Sequence, residues 1–469
     1  MTLLVSSIIL YLLLTIAIGF WAARKVKGSG DFLLAGRSLP MVLSTSALFA
    51  TWFGSETVFG ASSRFLEGGL FAVIEDPFGA ALCLLLFGTF FARKLYNMNL
   101  LTLGDYFKVR FGRRTEIVAS AFMVPAYFGY TAAQLVALGL ISNVVMGIPV
   151  WQGIVISAVV VTLYTYVGGM WAISITDFVQ SIIIIVGLLI LAFIMLNKAG
   201  GISNVISNVP DGTFQFFPKA DGLSIVHWFA AWSVLGLGSI PSQDVFQRTM
   251  SSGSASVAVR SCFYAAFLYL TIAMLPLLIS LCVKYLYPDE VAGDTQLTLL
   301  NMVMQHTALP VQILFFGSLL SAIMSTTSSS MLAPAALFSE NIVKPLTQHK
   351  VNDKQLLYTT RVSLVVFSSI ATVMACLNSD IYELVGVSSI LSLVSLFIPL
   401  TFGLYWKRSN SMGALIAIVS GMLVWFYFEQ FPIAIPSLVM GTLTSMVGMV
   451  VGSLLFQQKK TSVATSHEP

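Results

Sequence analysis

Glu56 is an acid set in an apolar run, Ala50-Thr51-Trp52-Phe53-Gly54-Ser55-Glu56-Thr57-Val58-Phe59-Gly60. A carboxyl group among such neighbours is costly unless it meets a cation, a proton, a hydroxyl cluster or a cationic ligand. A protonated Glu56 that ties two helices together is the purely structural alternative. A second polar concentration is Ser321-Ala322-Ile323-Met324-Ser325-Thr326-Thr327-Ser328-Ser329-Ser330. On a helix Ser325, Ser328 and Ser329 share one face, with Thr326 at its flank. Isolated hydroxyls satisfy themselves on the carbonyl one turn back, but so dense a group exceeds what packing requires. Hard cations take several oxygen ligands. Hydroxyls from this segment, with carbonyls freed by a break in the Gly-containing one, form two halves of a sodium site.

Other side chains are weaker candidates. Asp177 follows Gly168-Gly169 and reads equally as a helix cap or an ion ligand. Glu75 and Asp76 precede Pro77 and read as acids held at a helix start by the macrodipole. Trp52, Ser55, Glu56 and Phe59 on the interrupted run, with Tyr127, Tyr130 and Trp232, lie at a depth suited to a solute pocket. Aromatic residues in apolar runs also serve as packing or as interfacial belts. An acid with aromatics suits an ammonium group through ion pairing and cation–π attraction. Catalytic patterns are missing: there is no Walker A motif, no nucleophile–base–orienter trio, and His227, His306, His349 and His467 have no metal spacing. Cys83, Cys262, Cys282 and Cys376 read as small buried apolar residues. These features predict a carrier driven by an ion gradient, or one with no coupling at all, and not an enzyme.

The elements that hold these residues follow from composition. The chain is 57% hydrophobic and 9% charged, with a mean hydropathy of +0.89. Soluble domains carry about 25% charged residues, so lipid must solvate most of this chain. The apolar runs are long and continuous, which selects helices over a β-barrel. Thirteen spans are expected, near 3–23, 41–66, 70–92, 116–142, 150–168, 173–197, 224–243, 258–285, 310–336, 359–378, 381–405, 412–429 and 433–456. The first reads as a retained span, because it lacks a basic leader and a cleavage site. With the N-terminus outside, 20 of the 24 Lys and Arg residues fall on inner loops and only Lys198, Lys219 and Lys284 on outer ones, which predicts N-outside and C-inside. Arg248 is counted among the inner-loop residues.

One transmembrane domain, 1–456, and an inner tail, 457–469, are expected. Spans from 41–197 and from 224–405 divide into two five-helix halves of opposite topology, flanked by the extra helix 3–23 and the extra helices in 412–456. Each half opens with a segment rich in Gly, Ser and Thr, 44–63 and 233–242. Paired interrupted segments at matching positions point to a binding site near the bilayer midplane.

Leu34-Ala35-Gly36-Arg37-Ser38-Leu39, Leu103-Gly104-Asp105-Tyr106-Phe107, Gly168-Gly169 with Thr176-Asp177 and Gln180, Gln243-Asp244-Val245-Phe246-Gln247-Arg248, and Ala322-Ile323-Met324-Ser325-Thr326 occur in that order. Together they resemble the sodium:solute symporter family over about residues 1–460. The resemblance implies an all-α, leucine-transporter-type five-plus-five inverted repeat and a coupling Na+. It places that ion between the carbonyls of Ala50, Phe53 and Ala322 and the hydroxyls of Ser325 and Thr326. Some members, sialic acid transporters among them, use two sodium ions, and that design maps a second site onto Asp177, Ser325, Ser328 and Ser329. Trp52 stands where the proline-transporter pattern has Asp. The Ala-Thr-Trp stretch and Ser239-Ile240-Pro241-Ser242 resemble the choline branch more, whose pattern has no counterpart of Glu56. The implied function is sodium-coupled import of a small polar solute, an amino acid, a choline-like compound or another amine. A sugar or monocarboxylate symporter, and a proton-coupled carrier using Glu56, are the alternatives. The partners expected are the solute, sodium and the bilayer, with no nucleic acid, and the short loops suggest a bacterial inner membrane. A kinase-fused sensor is disfavoured because no kinase-like region follows Phe456.

Overall fold

The computed structural model describes residues 2–24, 29–291, 293–347 and 352–457. Lys25, Lys27, His349, Lys350, Lys459, Lys460, His467 and the tail beyond 457 lie outside the described residues. The described chain is helical almost throughout, and its one extended pairing is an isolated bridge between Leu39 and Ser252.

Among the described residues nine helices are long and apolar enough to cross a bilayer, and Gly222–Gly238 with Gln243–Met250 forms a further crossing bent by 48°. The remaining expected spans fall on Thr2–Ala23, on the short apolar helix Val150–Tyr166, and on a helix interrupted after Met41–Trp52. The chain is therefore an integral, multi-pass, all-α membrane protein. Ser411–Gln430 and Ser437–Leu455 pack on each other at the periphery and keep only 33% of their apolar windows inside the protein, which leaves the rest to lipid. Cys376 is exposed on the outer face of Asp353–Leu377, a correction to its expected burial. The other three cysteines are buried.

Three breaks shape the interior. The helix that begins at Val150 runs to Lys198 with one non-helical residue, Gly169, at φ 58° and ψ −168°. That φ favours glycine, and a Cβ there would sit 2.9 Å from the Phe32 carbonyl oxygen. The second break follows Trp52, where Phe53 leaves the helix at φ −84° and ψ 76°. The chain resumes through the π-helical turn Glu56–Gly60 into Ala61–Gly68; such turns concentrate at functional sites. A Cβ on Gly54 would lie 2.7 Å from both Gln134 Oε1 and Glu56 Oε2, so the bare backbone lets the Arg113–Met146 helix close on the break. The third break, Ser239-Ile240-Pro241-Ser242, separates the two arms of the bent pair. Pro241 has no N–H to continue a helical ladder.

Candidate functional site

The first broken span lies against the Leu309–Leu337 helix, and its freed backbone meets the hydroxyl-rich segment there. Thr326 Oγ1 donates to the Ala50 carbonyl at 2.9 Å and lies 3.2 Å from the Ala322 carbonyl. Three of the five oxygens assigned to the sodium site thus gather at one point, all three residues being buried. They are hard, neutral ligands, suited to a hard cation of low charge. Phe53 is buried beside them, its ring stacked on Phe49 at 5.1 Å. Ser325 turns the other way and donates to Asp177 Oδ1.

The Asp177 cluster holds a cation already. Arg248, expected on an inner loop, is 2% exposed. Its guanidinium lies 3.5 Å from Asp177 Oδ2 and donates to Ser329 Oγ. A buried charge is costly unless it is paired, so each partner accounts for the other. Of the residues mapped to a second sodium, Asp177, Ser325 and Ser329 come together around that guanidinium. Ser328 donates to the Ser325 carbonyl instead.

A narrow cavity lies between the two broken spans. Thr51, Trp52, Tyr127 and Tyr130 form one wall, and Ser239, Ser242, Ser388, Ser389 and Ser392 another. Its acid is Asp244, in the first turn of Gln243–Met250. Asp244 Oδ1 accepts from Tyr127 OH at 2.9 Å and from the Val245 N–H at 2.9 Å. These bonds hold the carboxyl group against the aromatic wall. Trp52 Nε1 has no hydrogen-bond partner, which leaves a donor for a ligand.

The remaining expected pocket residues lie elsewhere. Glu56 is 1% exposed and spends both oxygens on the Arg113–Met146 helix: Gln134 Nε2 donates to Oε2 at 2.7 Å and Tyr130 OH to Oε1 at 3.1 Å. The Ser55 N–H donates to Gln134 Oε1 at 2.9 Å, so the pair clamps the break itself. Phe59 is buried away from the cavity lining. Trp232 packs among Phe78, Phe216 and Trp228. Asp76, read as a helix-start acid, is instead fully buried and accepts from Tyr269 OH at 2.5 Å. Sequence reasoning missed Asp244 as a pocket acid. The signal was present, since Asp244 comes just after the second interrupted segment and Glu56 lies within the first. At the far end of the first broken span, Arg64 bonds Asp380 at 3.0 Å and latches that end to the start of Ile381–Tyr405.

Comparison with known proteins places the chain in a family and a fold. The profile described as "SSF: Sodium:solute symporter family" matches residues 32–421. The high affinity choline transporter 1 of Homo sapiens is 31% identical over 441 residues, covering 89% of this chain and 75% of its own. The osmoregulated proline transporter OpuE of Bacillus subtilis (strain 168) is 26% identical over 478 residues, covering 94% of each. A solved Na+-coupled sialic acid symporter, substrate-bound and outward-open, has a TM-score of 0.84 at 18% identity and covers 97% of each chain, which shows the fold. This chain belongs to the sodium:solute symporter family.

Proposed function

We propose that the protein imports a small ammonium-bearing solute together with sodium, with Asp244 and the Trp52, Tyr127 and Tyr130 rings as its recognition elements. The observation that carries this reading is the Asp244 carboxylate in a cavity walled by aromatic faces. A carboxylate offsets the charge of a desolvated ammonium, and the rings add cation–π attraction. The serine wall suits a hydroxyl on the same solute. A monocarboxylate would meet repulsion from Asp244. The choline relative is consistent with the cationic class.

Sodium binds in this reading to Ala50, Phe53, Ala322, Ser325 and Thr326, where it holds the first broken span to Leu309–Leu337. That attachment shapes the cavity wall at Thr51 and Trp52, so ion and solute bind cooperatively. One charge crossing the field gains about 2.3 kcal/mol per 100 mV, roughly a fiftyfold accumulation. Arg248 occupies the Asp177 cluster, so the ion stoichiometry in this conformation is one. The proposed topology has thirteen spans in a five-plus-five repeat, N-terminus outside and C-terminus inside. With Arg248 removed from the inner loops, nineteen basic residues remain there against three outside, and the bias stands. Residence in a bacterial inner membrane fits the short loops.

The test is thermal stabilisation of the purified protein by choline, betaine and primary amines, by monocarboxylates, and by sugars, in sodium and in potassium buffer. Amines are expected to raise the melting temperature in sodium and to do so weakly in potassium. Stabilisation by acids or sugars alone would overturn the assignment.

A further inference from the structure

Asp76 is 0% exposed, at the entry to the Leu70–Asn97 span. No Lys, Arg or His pairs with it among the described residues. Its Oδ1 accepts from Tyr269 OH at 2.5 Å, and its Oδ2 is buried with no partner. Tyr269 OH also lies 2.6 Å from Thr57 Oγ1 and 3.1 Å from the Trp52 carbonyl. Thr57 Oγ1 lies 3.1 Å from that same carbonyl. Four oxygens are thus joined by four close contacts.

An ionised Asp76 leaves only two hydrogens for these contacts, one on Tyr269 and one on Thr57. When Tyr269 donates to Asp76, Thr57 donates either to Tyr269 or to the Trp52 carbonyl, which also accepts from the Gly54 N–H, and in neither arrangement does Asp76 Oδ2 find a donor. A third hydrogen, on Asp76, completes a chain: Asp76 donates to Tyr269, Tyr269 to Thr57, and Thr57 to the carbonyl. It also removes the charge from a carboxylate whose second oxygen finds no donor. A metal ion with oxygen ligands at about 2.3–2.6 Å would hold the four oxygens farther apart. The groups facing Asp76 supply no cation. They are Glu56 on the broken span, the neighbouring Glu75, Tyr269 from Ala255–Leu286 and Tyr382 from Ile381–Tyr405. The nearby Arg64 is held by Asp380 and Glu67.

We propose that Asp76 is a proton-binding site, at which the carboxylate takes one proton from water and returns it as the far half of the first broken span moves. The site is sealed by that half: Thr57 and Tyr269 are fully buried, and Gly60 packs so closely on Tyr382 that a Cβ would lie 3.1 Å from its ring. Exchange therefore requires residues 55–68 to swing and the Arg64–Asp380 latch to part. The Trp52 carbonyl ends the chain of hydrogen bonds and the Trp52 ring lines the cavity, so proton occupancy and cavity shape are linked. This goes beyond the sodium-coupled reading and is independent of which solute is carried.

Infrared spectra of the full-length protein in lipid test it. The wild type is expected to show a carboxylic-acid carbonyl absorption at neutral pH that shifts in D2O and fades reversibly as pH rises. Asp76→Asn, which mimics the neutral form in size, is expected to lose it, and Glu56→Gln to keep it. Tyr269→Phe is expected to move its frequency by removing the phenol partner. A wild type with no such absorption, one that Asp76→Asn leaves intact, one that Tyr269→Phe leaves at the same frequency, or one indifferent to pH and D2O would each overturn the proposal.

Discussion

Asp244→Asn is expected to weaken binding of an amine solute by about a hundredfold or more while the protein stays folded. Removing one charge from a desolvated, hydrogen-bonded pair costs roughly 2–5 kcal/mol, and about 2.8 kcal/mol is a hundredfold in Kd. Asn keeps an oxygen to accept from Tyr127 and the Val245 N–H, so the helix start after Ser242 is preserved. The loss is then assignable to charge. Isothermal titration of wild type and variant with the best amine from the stabilisation screen measures it. An unchanged affinity would show that Asp244 serves the helix and not the solute. Tyr127→Phe gives the companion result: it frees the carboxylate from one donor but leaves the charge, so a smaller loss is expected than for Asp244→Asn.

Arg248→Met is expected to be the most destabilising single change outside the cavity. It leaves Asp177 buried without a cation, and breaking one side of a buried pair costs about 3–5 kcal/mol. Converting both partners, Asp177→Leu with Arg248→Met, removes both charges and is expected to recover most of the lost thermal stability, because apolar substitutes for a buried pair are often neutral. Melting curves of the single and double variants in the same detergent read this directly. A single variant that melts with the wild type, or a double variant no better than the single, would contradict the pairing. The same pair bears on ion stoichiometry. A second sodium can use Asp177 and Ser329 only where Arg248 has withdrawn, since both compete for the same oxygens.

Much of this architecture is written in local features that act through hydropathy alone. The spans follow from apolar length, and the breaks at Gly54 and at Ser239–Ser242 from residues that cannot continue a helix under close contact. That the hydroxyl-rich segment meets the interrupted one was legible from their complementary chemistry, whereas the particular residues Ala50, Ala322 and Thr326 came from the family resemblance. What remained illegible was long-range pairing. Glu56 and Asp244 are both acids beside a helix break, and nothing local separates their fates. Gln134 and Tyr130, far along the chain, absorb Glu56, whereas Tyr127 turns Asp244 toward the cavity. Arg248 fell to the inner-loop tally because charge near a span end ordinarily seeks water. Its counter-ion lies 71 residues upstream, and no periodicity links them. Asp76 was legible as an acid at a helix start, but the Tyr269 hydroxyl that encloses it comes from another span.

The most direct test of sodium coupling is uptake of the most stabilising solute into proteoliposomes, with wild type compared to Thr326→Ala under an imposed inward sodium gradient. The wild type is expected to accumulate solute above the outside concentration and to lose that accumulation when potassium replaces sodium. Thr326→Ala removes the hydroxyl shared by the Ala50 and Ala322 carbonyls and is expected to need at least about tenfold more sodium for half-maximal uptake, the loss of roughly 1.4 kcal/mol of ion binding. Equal uptake in sodium and potassium, or a Thr326→Ala protein with unaltered sodium dependence, would contradict the account.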